Sequence, residues 1–127
     1  MIRLTIDKAF GPEKISLMRA FGRNCYASMT QVCRARPRDH YVIHCMTRAE
    51  VRAETAQGGG AGYFDPALDR IAIAKDLTPW RTIEVLCEEI VHAIQPGWSE
   101  SVVRGSAVPA VLRGTIGYDR LPRRPGP

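Results

Sequence analysis

None of the four cysteines, Cys25, Cys33, Cys45 and Cys87, forms a C-x-x-C pair, which sets aside a zinc ribbon and a thioredoxin-like redox motif. No apolar run approaches the ~20 residues that cross a bilayer, so no membrane span is expected. The glycine-rich stretch Gly58-Gly59-Gly60-Ala61-Gly62 lacks the Gly-Lys-Ser/Thr of a phosphate-binding loop. Ser99, Ser101 and Ser106 lack the G-x-S-x-G elbow of a serine hydrolase. No internal repeat is visible. Met1–Ile6 alternates and then meets Asp7 and Lys8, which is no signal peptide. A cytoplasmic protein is expected, or an exported one if a targeting segment has been removed.

What is present describes an ordinary folded domain. The 127 residues are 45% hydrophobic and 24% charged, which excludes disorder, collagen and coiled coil. Residues 1–121 are expected to form a single domain, and Pro122–Pro127 a disordered tail. The net charge of +5 is uneven: residues 1–40 sum to +5, 41–100 to −4 and 101–127 to +4. Most of the arginines are scattered, with no basic stripe interleaved with aromatics, so nucleic acid is not an expected partner. An even cysteine count would permit disulfides in an exported protein. Cys45 and Cys87 nevertheless fall in apolar segments, which favours buried free thiols.

Hydrophobic periodicity gives the elements. Ile2, Leu4 and Ile6 alternate as a strand. A helix over 12–30 starts at Pro12 and carries Ile15, Met18, Phe21, Cys25 and Met29 at three- and four-residue steps. Tyr41–Met46 is a short apolar strand expected at the centre of a sheet, with His44 as a core histidine. A short helix over 48–57 precedes the glycine loop. Gly62–Asp65 and Arg70–Ala74 form a hairpin around Pro66–Asp69. Thr78 and Pro79 then cap a helix over 79–95 whose Trp80, Ile83, Leu86, Cys87, Ile90 and Ile94 share one face. Pro96-Gly97 stops it. Residues 98–127 read as irregular, with one short helix near Val108–Leu112. The fold class is α+β: a small mixed sheet with the two main helices on one face.

One constellation could carry chemistry. On the helix 79–95, Glu88 and His92 stand one turn apart on the polar face, with Glu89 beside them. The stretch Glu88-Glu89-Ile90-Val91-His92 resembles the H-E-x-x-H signature of the zincin metallopeptidases, with Glu88 in place of the first histidine. The order strand, long helix, strand, edge hairpin and motif helix is also similar to that family. An E-E-x-x-Q/H helix of this kind resembles a group of uncharacterised bacterial proteins related to zincins. The resemblance implies zinc held by Glu88 and His92, with Glu89 as the base acting on a metal-bound water. It also implies an extended peptide or protein as substrate or partner, lying along an edge strand.

The resemblance requires a third ligand. The long form of the motif would place a glycine at 95 and a histidine at 98, where Gln95 and Trp98 stand. Glu100, Tyr118 and Asp119 are the candidate donors, Glu100 first by proximity. Two other readings use the same residues. Glu88 and His92 could be a solvated i,i+4 pair on an ordinary amphipathic helix, or the chain could be a non-catalytic protein-interaction domain that keeps only the scaffold. The first ~95 residues build that scaffold, leaving about 30 for a third ligand and a cleft wall.

Overall fold

The alternating segment Arg3–Ile6 forms β1, and Asp7 ends it. Asp7 Oδ1 accepts a hydrogen bond from the Ala9 amide at 3.0 Å and caps the 3-10 turn Lys8–Phe10. The structure, a computed structural model, describes residues 1–55 and 60–115. The expected glycine loop at 58–59, the distant donors Tyr118 and Asp119 and the tail 122–127 lie outside the described residues.

Pro12 opens α1 (Pro12–Asn24), and α2 (Tyr26–Cys33) follows after Cys25. The single helix expected over 12–30 is thus two. Hydrogen bonds run through the junction, Cys25 N–H to Phe21 O at 2.9 Å and Met29 N–H to Cys25 O at 2.8 Å. The reason for the break is packing: α1 lies on β1, whereas α2 lies on the helix Val108–Gly114. A straight rod would not reach both. Gly22 allows the first contact, because a Cβ there would sit 2.8 Å from the Ile2 carbonyl oxygen.

Arg34 takes a left-handed conformation at the end of α2, and the chain returns as β2 (His40–Met46), followed by α3 (Arg48–Glu54). Thr47 and Glu50 close a capping box on α3. The hairpin follows as β3 (Gly62–Asp65) and β4 (Arg70–Ala74). The sheet order is β1-β2-β4-β3, with β2 parallel to β1 and β4, and β3 antiparallel at one edge. The central position expected for β2 is observed. His44 is not a core residue, however. The pleat turns Tyr41 and Ile43 inward and leaves His44 half-buried on the other face, its Nδ1 3.2 Å from Asp7 Oδ2.

Thr78 caps α4 (Pro79–Ile94) through a hydrogen bond from the Arg81 amide. Its apolar face, with Ile83, Leu86, Cys87 and Ile90, is fully buried in one core with Met18, Phe21, Met29, Ile43, Ile71 and Ile73. The chain then turns, and the region expected to be irregular is helical over most of its described length. Ser99 caps α5 (Glu100–Val102), which runs through a π-turn at Val103–Ala107 into α6 (Val108–Gly114). Pro109 accounts for the π-turn: it lacks an N–H, and its ring would meet the Gly105 carbonyl of an α-helix. The wider turn, closed by Val108 N–H to Val103 O, avoids that clash. Val103, Ala107, Val108, Val111 and Leu112 join the core against α2 and α4. Among the described residues, no helix is long and apolar enough to cross a membrane.

Candidate metal centre

Glu88 and Glu89 are buried although they lie on the polar side of α4, because the helical segment after Ser99 covers them. Glu88 and His92 are therefore not a solvated i,i+4 pair. The Glu88 side chain is 5% exposed, and its neighbours come from across the helix interface rather than along α4. His92, one turn on, is largely buried, and Glu100 reaches in from the first turn of α5.

These three side chains converge. One donor atom each from Glu88, His92 and Glu100 lies within 4.8 Å of the others, a spacing that can hold one metal ion. His92 Nε2 is 2.8 Å from Glu100 Oε1 but outside hydrogen-bond alignment, so this buried nitrogen has no hydrogen-bond partner among the described residues. A buried imidazole nitrogen between two carboxylates, without a hydrogen-bond partner among the described residues, fits a divalent cation, since the donors are two hard oxygens and one borderline nitrogen. The same set suits zinc, manganese and iron, so the donors alone do not select among them.

Glu89, between the two α4 donors, makes neither a hydrogen bond nor an ion pair among the described residues. Burial first, then the Glu88 and Glu100 charges, push its carboxyl up to about 8. It therefore holds its proton to higher pH than an exposed glutamate does. Perturbed carboxyls of this kind cluster at functional sites.

Arg104, in the π-turn, was not legible as part of this centre. Its Nε lies 2.7 Å from Glu88 Oε1 and 3.0 Å from Glu100 Oε2, so one guanidinium joins two of the three donors. The i,i+4 spacing of Glu100 and Arg104 was the available signal, hidden because residues 98–107 read as irregular.

No family model matches this chain, and neither a curated protein nor a solved structure matches it. The zincin resemblance thus rests on the residues of the motif and on the order of the elements. The cysteines take no part in the centre: all four are free thiols, with Cys25, Cys33 and Cys87 buried and Cys45 half-buried. The expectation of burial holds for Cys87 and not fully for Cys45, which lies near the end of β2 and packs partly buried against the core.

Proposed function

We propose that the chain is a zincin-like metallopeptidase, or a catalytically weakened relative, that binds a divalent ion, zinc first, and holds an extended peptide. The observation that carries this reading is the convergence of Glu88, His92 and Glu100, whose buried imidazole nitrogen has no hydrogen-bond partner among the described residues. Those three residues would hold the ion. A bound ion would supply Lewis acidity and a more acidic water. In this reading Glu89, next to Glu88 on α4, takes up and returns a proton.

The peptide side of the reading rests on β3. It is an edge strand of the sheet, so among the described residues one row of its backbone groups has no neighbouring strand and could pair with an added one. It is also tied to the helix of the centre. Gly62 packs so closely that a Cβ would lie 2.7 Å from Val85 Cγ1, and Glu89 lies one helical turn beyond Val85 on the same side of α4.

Metal analysis of the purified protein tests the reading. Zinc at one equivalent, lost in Glu88→Ala and His92→Ala, is the expected result. Glu89→Gln should keep the zinc and lose peptide hydrolysis by about 100-fold or more. A metal-free protein whose Glu88 and His92 variants are as stable as the parent would overturn it. One observation favours the second reading, a non-catalytic interaction domain: Arg104 already answers the charges of Glu88 and Glu100.

A further inference from the structure

The centre contains its own cation. Arg104 Nε stands 2.7 Å from Glu88 Oε1 and 3.0 Å from Glu100 Oε2, where an ion held by those carboxylates would be. Both cations cannot use the same oxygens, because a divalent ion and a guanidinium a few ångströms apart repel each other. The two carboxylates differ in what they can do without Arg104. Glu88 is almost fully buried, while Glu100 is more than half exposed, so a cation is chiefly required by Glu88.

Arg104 is placed to leave. Its side chain is 56% exposed, so its charge can be rehydrated, and a long flexible stem can carry it out of the pair. It sits in the π-turn next to Gly105, around which a Cβ would meet nothing within 4 Å. No core side chain needs to move for the guanidinium to swing into solvent.

We propose that Arg104 is an exchangeable occupant of the cation position, displaced when a metal ion binds and returned when it is lost. This rests on the metal-binding reading given above and adds to it a regulation: occupancy is set by competition between a tethered cation and a free one. Without metal, the arginine holds Glu88 in a satisfied state, so the fold does not depend on the ion. With metal, Arg104 becomes a free cation at the rim of the centre.

The test titrates zinc into the full-length protein and into Arg104→Gln, following heat of binding and, in the parent protein, the Arg104 Nε–H and His92 ring resonances. Removing a charge-assisted contact worth one to two decades should make Arg104→Gln bind zinc about 10- to 100-fold more tightly. In the parent, zinc should shift the His92 ring signals and move the Arg104 Nε–H signal to that of a solvated arginine. Arg104→Lys keeps the charge but lacks the planar fork, so its affinity should fall between the two. This variant, with the resonances of the parent, keeps the test informative if Arg104→Gln folds poorly. Equal zinc affinities, with His92 shifted and Arg104 unmoved, would overturn the exchange and leave the metal site standing. No zinc binding in any of the three, with His92 unmoved, would overturn the metal site and the exchange together.

Discussion

A carboxylate buried as deeply as Glu88 persists only if its charge is answered, and here Arg104 answers it. The two halves of the pair are unequal, which gives an asymmetric prediction. Arg104→Ala strands a buried charge, whereas Glu88→Gln leaves an arginine that water can solvate. In metal-free protein, Arg104→Ala should lower the unfolding free energy by about 1–3 kcal/mol, and Glu88→Gln by less, as measured by urea denaturation. Equal losses would mean that the pair is a surface contact. The thiols allow a second test at the same scale. Burial pushes Cys25 up to about 12, Cys33 to about 11 and Cys87 well above the ordinary thiol range. Cys45 is raised less, with burial as the main cause. A thiol reagent at pH 8 should therefore modify Cys45 first in the native protein, and the other three only on unfolding.

Among the elements, the short turn after β1 depends on one side chain. Asp7 accepts from the amides of Ala9 and Cys45, and those bonds, with a smaller contribution from His44, hold its carboxyl below the usual aspartate range. A folded value below the unfolded one means that this stabilisation is present above about pH 4 and lost as the pH falls further. Asp7→Asn should cost about 1 kcal/mol at pH 7. Its stability curve should also be flatter than the parent's below pH 4, checked by denaturation across pH 2.5–7. The contact between α2 and α6 is similarly concentrated. Ser28 Oγ donates to the Val111 carbonyl at 2.9 Å, and a Cβ on Gly114 would come 2.5 Å from Ser28 Oγ. Gly114→Ala should cost about 1–3 kcal/mol. Adding Ser28→Ala should cost less than the two single losses combined, as a double-mutant cycle would show.

The elements also show what a linear reading reaches. Thr78, Pro79 and the stop at Pro96 placed α4 within one residue, because caps and breakers are local chemistry. The hairpin of β3 and β4 was legible for the same reason. The break at Cys25 was not, because α1 and α2 diverge to meet partners distant in sequence. Of the helical segment 100–114 only the short helix near Val108–Leu112 was legible, because the rest runs through a π-turn that has no simple sequence period. With that part missing from the reading, the face of α4 carrying Glu88 and Glu89 looked solvated, and Arg104 had no place. The third donor, Glu100, was reachable through proximity alone.

For the molecule as a whole, the scaffold does not end at residue ~95. Val103, Ala107, Val108, Val111 and Leu112 pack into the same core as the sheet and α4, so the helical segment 100–114 belongs to the folding unit as well as to the centre. A chain ending after Trp98 should lose the cooperative transition of the parent and bind a hydrophobic dye, monitored by circular dichroism and fluorescence. A truncated chain that melts as sharply as the parent would separate the segment from the core. The same arrangement couples folding to the centre, since α4 supplies two donors and α5 the third.

The π-turn at Val103–Ala107 has one residue too many for an α-helical lap. That surplus acts as a phase shift along a single rod. Ahead of it, Glu100 faces the acidic side of α4; beyond it, Val108, Val111 and Leu112 face the apolar interior. Deleting Gly105 would remove the offset while leaving every side chain that touches the centre or the core in the sequence. The two halves of the rod could then no longer both face their partners, so the spacing between Arg104 and Val108 carries information that neither residue holds alone.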